Sequence, residues 1–191
     1  MPSNWWRRIA PVYSRLRRMP VLRYILRHER RALLALLGDV DRPEGLALDI
    51  GTGPGDTLGA LPPGRRVLLD ASFAMLRRAA GTMRIVARAE ALPFRPLTFS
   101  FISAVGVLEY IPRPEILFRE AKRVGQPRAL LLLTASPPNA PNSLRRCFGT
   151  KLYLRPAAEI ADLISRAGFS IANRRTTFMQ IQWLCVARDE N

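Results

Sequence analysis

The stretch Leu46-Ala-Leu-Asp-Ile-Gly-Thr-Gly-Pro-Gly-Asp56 decides the fold of this 191-residue chain. A short apolar run ends in an acid and passes at once into a glycine-rich turn, which is the pattern of a buried strand, a tight loop and a helix N-terminus. A second apolar run ends in another acid, Asp70, about 20 residues after Asp49, where nucleotide-binding α/β folds bind a ribose diol. The two motifs therefore predict a nucleotide site at the carboxyl ends of two neighbouring strands.

The glycine spacing indicates which nucleotide the loop accepts. The dinucleotide fingerprint is G-x-G-x-x-G, but here Gly51, Gly53 and Gly55 alternate, and Asp56 takes the place of the third Gly. Pro54 removes one amide donor, and the Asp56 carboxylate would lie beside the phosphates of NAD or FAD. A ligand with no phosphate, a carboxylate for the loop amides and a positive centre fits better, and S-adenosylmethionine (SAM) has these properties. A glycine-rich turn that binds no ligand is the alternative.

The chain resembles the class I SAM-dependent methyltransferases in five motifs that occur in the family's order. They are residues 49–55, 69–76, 87–94, 106–111 and 166–169. The resemblance extends over residues 44–188 and is closest to the type 11 subgroup, which includes the C-methyltransferases of ubiquinone and menaquinone biosynthesis. It implies an α/β fold with a Rossmann-like, seven-stranded, mostly parallel sheet and a C-terminal antiparallel hairpin, preceded by an N-terminal helical segment.

The same resemblance implies a set of cofactor-binding residues. They are Asp49, Gly51, Thr52, Gly53, Asp70, Ala71, Met75, Arg88, Ala89 and Gly106. Gly51, Thr52 and Gly53 would lie against the methionine half of SAM, where only small residues allow close approach. Asp49 would hold the loop and reach the amino-acid end of SAM, and Asp70 would accept both ribose hydroxyls. Ala71 and Met75 would flank the adenine.

Arg88 departs from the family pattern, which usually has an acid at this position to accept from the adenine amine. Because arginine cannot accept a hydrogen bond, adenine recognition would depend on the backbone around Ala89 or on stacking of Arg88.

Glu109 and Tyr110 are the candidate catalytic residues. They follow the fourth predicted strand, and they are the titratable groups nearest to the expected methyl group, so either could orient a substrate or accept its proton. The alternative is that Glu109 caps a loop and Tyr110 packs on the cofactor. No metal site is expected, because Cys147 and Cys185 fit no metal-ligand spacing.

Composition and charge limit the class of protein and its partners. With 48% hydrophobic and 24% charged residues, the chain is typical of a globular domain. It contains no apolar run of about 18 residues and no secretory signal, so we expect a cytoplasmic protein, with peripheral membrane association as an alternative. The formal charge of +15 favours an anionic contact such as RNA or a lipid surface.

The chain divides into a basic N-terminal helical leader, residues 1–43, and a SAM-binding domain, residues 44–191. Before Gly38 the leader contains nine Arg and a single acid, Glu29. Three interpretations remain open for it: a lid over the cofactor, an amphipathic surface in residues 1–37 for anionic membranes, or an RNA-binding segment.

Alternating apolar runs and helical patterns place the remaining elements. Strands are predicted at 46–50, 66–70, 83–87, 99–106 and 129–135, and helices at 21–37, 56–61, 72–80, 114–124 and 156–167. Two closing strands at 170–177 and 179–188 would form the hairpin. The functional prediction is methyl transfer from SAM to a small-molecule acceptor, with a lipophilic quinone-type ring first. An RNA methyltransferase and a SAM-fold binding module without catalytic activity are the alternatives.

Overall fold

A seven-stranded mixed sheet forms the centre of the protein. The computed structural model describes residues 19–38, 44–56, 64–81, 83–148 and 151–189. The strands are β1 (Ala47–Ile50), β2 (Arg66–Asp70), β3 (Arg84–Val86), β4 (Phe99–Ala104), β5 (Gly125–Ala135), β6 (Phe169–Thr176) and β7 (Ile181–Ala187). They lie in the order 3-2-1-4-5-7-6. Strands β1 to β5 pair in parallel, and β7 is antiparallel to β5 and β6. The predicted Rossmann-like sheet and its C-terminal hairpin are thus confirmed.

Helices cover both faces of this sheet. They are α1 (Pro20–Leu37), α2 (Phe73–Leu76), α3 (Pro114–Val124), α4 (Ala140–Leu144) and α5 (Ala157–Arg166), with 3-10 turns at Leu108–Tyr110 and Arg145–Phe148. The apolar stripes of α3 and α5 pack with alternate residues of the strands in the largest hydrophobic cluster. The opposite face of the sheet receives α1 and α2. Burial of both faces explains why the central strands, such as β4 and β5, contain nearly continuous apolar runs.

Helix α1 joins the sheet through its C-terminal half. Leu33 and Leu36 are fully buried against the sheet face formed by β4, β5 and β7. One turn earlier on the same stripe, Glu29 is also buried and accepts hydrogen bonds from the hairpin turn between β6 and β7. Glu29, Leu33 and Leu36 of the leader are therefore part of the core. Residues 1–18 lie outside the described residues, so the lid interpretation of the leader stays a prediction.

Two elements differ clearly from the predicted ones, and a third prediction lies almost wholly outside the described residues. Strand β5 begins at Gly125 instead of 129, because the chain pairs with β4 directly after α3 and then passes through an irregular register with Arg128 at a φ of +59°. Helix α2 is a single turn instead of spanning 72–80. The helix predicted at 56–61 lies outside the described residues except for Asp56, which is in a turn.

The strand order creates a switch point between β1 and β4. From β1 the chain continues outward to β2 and β3, whereas β4 leads to β5 on the other side. Open α/β sheets bind ligands in the crevice at the carboxyl ends of the strands at such a point. The loops that leave β1 and β4 therefore define where the candidate site lies.

Candidate active site

The loops that follow β1 and β4 touch at the switch point. Gly51 has a φ of +68°, and a Cβ atom built on it would lie 2.5 Å from Val107 Cγ2. A side chain at position 51 is therefore excluded both by the left-handed backbone and by the neighbouring loop. Glycine at this position brings the glycine-rich loop close to the segment that carries Glu109 and Tyr110.

Asp49 is a buried carboxylate, and one of its two oxygens lacks a hydrogen-bond partner among the described residues. Its neighbour across the β1–β4 register is Ser103, whose hydroxyl donates a 2.6 Å hydrogen bond to Asp49 Oδ1. Thr52 Oγ1 donates to the Asp49 main-chain oxygen at 2.9 Å and so closes the loop. Asp49 Oδ2 is buried and has no hydrogen-bond partner among the described residues. Burial raises the pKa of Asp49 to about 6, against the opposite effect of the Ser103 hydrogen bond. The site thus holds a desolvated carboxylate oxygen suited to a cationic or donor group of a ligand.

Asp70 ties the end of β2 to the glycine-rich loop. The amide of Gly53 donates to Asp70 Oδ2 at 2.8 Å, and the amide of Ser72 donates to Oδ1 at 2.7 Å. Burial raises the pKa of this carboxyl, while the two amide hydrogen bonds act in the opposite direction. Each carboxylate oxygen can accept a further hydrogen bond. Asp70 is therefore fixed in place and can still accept from a diol.

The other predicted cofactor residues surround these two acids. Met75 is buried, and its Cε lies 3.8 Å from the Cβ position of Gly53. Ala71 is exposed, Ala89 is buried, and the Gly106 amide donates to Thr134 Oγ1 at 2.8 Å. A bare loop at Gly51 and Gly53, an acid at each strand end and an open Asp49 oxygen fit the needs of SAM.

Arg88 lies in solvent beside this site. Its side chain is 65% exposed and forms an ion pair with Glu90 at 3.2 Å. Stacking of Arg88 on an adenine, one of the two predicted alternatives, would therefore occur at the surface.

The guanidinium of Arg145, which the sequence patterns did not indicate as a site residue, bonds both Glu109 and Tyr110. Arg145 Nη2 donates to Glu109 Oε1 at 3.1 Å and to the Tyr110 hydroxyl at 3.3 Å. Its Nη1 donates to Ser136 Oγ at 2.9 Å and to Asn142 Oδ1 at 3.0 Å, and Ser136 in turn donates to Glu109 Oε1 at 3.1 Å. Burial lowers the pKa of Arg145, but the Glu109 carboxylate and the Tyr110 hydroxyl outweigh it and the net shift is upward. The two candidate catalytic residues thus form one polar cluster with three residues that follow β5.

A second buried arginine fixes the backbone of the same segment. Arg155 donates to the carbonyl oxygens of Leu108, Ile111 and Pro112 at 3.0 to 3.4 Å and pairs with Glu159 at 3.1 Å. The 3-10 turn that carries Glu109 is therefore held from its backbone by Arg155 and from its side chains by Arg145.

The remaining predictions concern metals, thiols and membrane spans. Within the described ranges, no group of three or more His, Cys, Asp or Glu residues could hold a metal ion. Cys185 is a free, buried thiol in β7, and burial raises its pKa to about 12. None of the helices in the described part of the chain has the length and apolar content needed to cross a bilayer.

Comparison with known proteins agrees with this geometry. Residues 48–133 match the family model described as a methyltransferase domain. Uncharacterized proteins from Mycobacterium tuberculosis and Mycobacterium bovis are 30% identical over 187 residues, which is 91% of this chain and 62% of theirs. The chain thus spans less than two thirds of the length of these relatives.

Solved structures with 17 to 18% identity share the fold. A chain of the Haloferax volcanii complex between the Trm112 methyltransferase activator and a methyltransferase superposes with a TM-score of 0.76, over 92% of this chain and 95% of that one. A SAM-dependent methyltransferase from Thermotoga maritima gives 0.74, over 96% and 98%. Magnesium protoporphyrin IX methyltransferase from Synechocystis, with bound S-adenosylhomocysteine (SAH), also gives 0.74, over 97% of both chains.

The motifs, the strand order, the acids at the switch point and the family match over residues 48–133 together indicate the fold of a class I SAM-dependent methyltransferase domain, and they support SAM as its cofactor. The predicted class is confirmed. The narrower resemblance to the ubiquinone and menaquinone C-methyltransferases stays a prediction.

Proposed function

We propose that the protein transfers the methyl group of SAM to a lipophilic small molecule, with a quinone-type ring as the leading acceptor. The arrangement of Asp49 and Asp70 around the bare Gly51 loop supports the SAM-binding part of this proposal, and the resemblance to the quinone-modifying subgroup supports the acceptor. One carboxylate retains an open, buried oxygen, and the other is fixed at the end of the second strand. A phosphate-binding loop would instead offer amides and avoid this negative charge.

Each residue of the candidate site has a role in this proposal. Bound SAM supplies a methyl group on a sulfonium, which is already an activated leaving group. Asp70 accepts the ribose hydroxyls, and Asp49 Oδ2 accepts from the cationic amino-acid end. Glu109 and Tyr110 orient the acceptor. Because alignment and exclusion of water contribute much of the acceleration, the rigid support from Arg145 and Arg155 has a direct function.

The exposed part of α1 supports contact with an anionic membrane, from which a lipophilic acceptor would come. Val21 and Tyr24 are 72% and 73% exposed, and they lie among the exposed arginines Arg23 and Arg27. Apolar side chains interleaved with cations are typical of interfacial helices.

Vesicle sedimentation separates the membrane proposal from RNA binding. We expect the full chain to pellet with phosphatidylserine-containing vesicles, and the double variant V21S/Y24S to lose part of this binding. RNA binding would instead be detected with a labelled RNA and would weaken steeply between about 50 and 200 mM salt. Equal pelleting of the two proteins would contradict membrane contact through α1.

Transfer of a radiolabelled methyl group tests the enzymatic proposal. The full chain is incubated with methyl-labelled SAM and a lipid extract or a set of quinols, and label is counted in the organic phase. Asp70→Ala should abolish transfer, whereas Asp162→Asn, which alters an exposed acid on α5, should retain it. Label that appears equally with Asp70→Ala would refute the proposal.

A further inference from the structure

The two carboxylate oxygens of Glu109 differ in their hydrogen bonding. Oε1 accepts from both Ser136 and Arg145, whereas Oε2 is buried and has no hydrogen-bond partner among the described residues. The residue as a whole is 2% exposed. A buried carboxylate oxygen without a donor costs free energy, and a donor brought by a ligand would recover that cost.

Glu109 lies on the acceptor side of the candidate site. It belongs to the 3-10 turn that follows β4, and Val107, two residues earlier, packs against the Gly51 position of the glycine-rich loop. The turn that carries Glu109 therefore adjoins the loop against which SAM is expected to lie.

The charge around Glu109 is balanced. Arg145 spends both Nη groups on four acceptors, which are Glu109, Tyr110, Ser136 and Asn142. Its positive charge neutralises that of Glu109, and the other three groups are uncharged. A neutral hydroxyl can donate to Oε2 in these surroundings, whereas an ammonium ion would find no excess negative charge to offset its loss of hydration.

We propose that the acceptor presents a neutral aromatic hydroxyl, a phenol or a quinol, to Glu109 Oε2. This inference rests on the proposed function and specifies its substrate class. The hydroxyl oxygen forms the new bond to the methyl carbon, and the carbon–sulfur bond breaks with its electron pair left on sulfur. The hydroxyl proton passes to Glu109 Oε2. Ser136 and Arg145 hold Glu109 in position for this transfer.

Binding of two matched ring compounds to the SAH-loaded full chain tests the inference. Hydroquinone carries the hydroxyl groups, and 1,4-dimethoxybenzene has methyl ethers in their place. We expect hydroquinone to bind at least about tenfold more tightly to the wild-type protein, because a site built around a substrate hydroxyl rejects the analogue that lacks it. Glu109→Gln should abolish this preference, and Glu115→Gln, which changes an exposed glutamate on α3, should retain it.

The outcomes separate this inference from the proposed function. If SAH binds but wild-type protein binds both rings equally, or neither, the inference is overturned without need of a variant. Survival of the preference in Glu109→Gln also overturns it. Failure of SAH itself to bind would overturn the proposed function and, with it, the substrate class.

Discussion

Replacing Asp49 by Asn should stabilise the ligand-free protein at neutral pH. Burial raises the pKa of this carboxyl from 3.8 to about 6. Because the folded protein binds the proton more tightly than the unfolded chain does, the free energy of unfolding falls as pH rises from about 4 to about 6, and the cost is complete above that range. A difference of about 2 pKa units corresponds to about 3 kcal/mol.

The pH dependence isolates this effect from other consequences of the substitution. Asn cannot titrate, so the free energy of unfolding of Asp49→Asn should exceed that of wild type by about 3 kcal/mol at pH 7.5 through this effect. At pH 4 the same contribution should fall below about 1 kcal/mol. Any loss from a rearranged Ser103 hydrogen bond is independent of pH and shifts both values together. Urea unfolding at pH 7.5, 6, 5 and 4 gives the free energies, provided that the slopes agree.

Two comparisons complete this test. Asp162→Asn, at an exposed site, should show no such dependence. With saturating SAM at pH 7.5, wild type should be more stable than Asp49→Asn, because the Asp49 oxygen that lacks a partner then contributes to ligand binding. A difference between wild type and Asp49→Asn that stays constant from pH 4 to 7.5 would refute the assignment of Asp49 as a desolvated carboxylate.

Three further substitutions have outcomes that calorimetric melting can check. Gly51→Ala should cost at least about 2 kcal/mol and weaken SAM binding, because its Cβ meets Val107 at a left-handed backbone position; wild-type melting would contradict the loop contact. Arg155→Met should cost about 3 kcal/mol because it removes the donors to four carbonyl oxygens and the partner of Glu159, whereas Arg166→Met, in an exposed ion pair, should cost less than about 1 kcal/mol. Glu29→Gln should cost about 2 kcal/mol, since it replaces an acceptor by a donor facing Thr177 and Gln182; an unchanged melting temperature would show that α1 is held by Leu33 and Leu36 alone.

Most of the fold could be predicted from local sequence patterns. An apolar run that ends in an acid and a glycine turn can form few structures, and the same signal recurs at Asp70, so the order of strands and helices followed. The start of β5 could not be predicted in this way. Pro127 and the left-handed Arg128 interrupt the apolar pattern, and only pairing with β4 makes that segment a strand.

The candidate site was predictable where it depends on one loop and was not where it depends on distant contacts. Asp49 and Asp70 follow from their positions at strand ends. Arg145 and Ser136 come from the segment after β5 and reach Glu109 only in the folded protein, and Asn142 joins them through its hydrogen bond with Arg145. Glu29 left a weak signal, as an acid on the same helical stripe as the buried Leu33 and Leu36.

Calorimetric titration of SAM into the full chain decides whether the two acids form a cofactor site. We predict micromolar binding to the wild-type protein, no detectable binding to Asp70→Ala, and wild-type affinity for Asp162→Asn. NADH should not bind, because the loop places acids where phosphates would lie. Equal SAM affinity of wild type and Asp70→Ala, or tight binding of NADH, would contradict the assignment of this site.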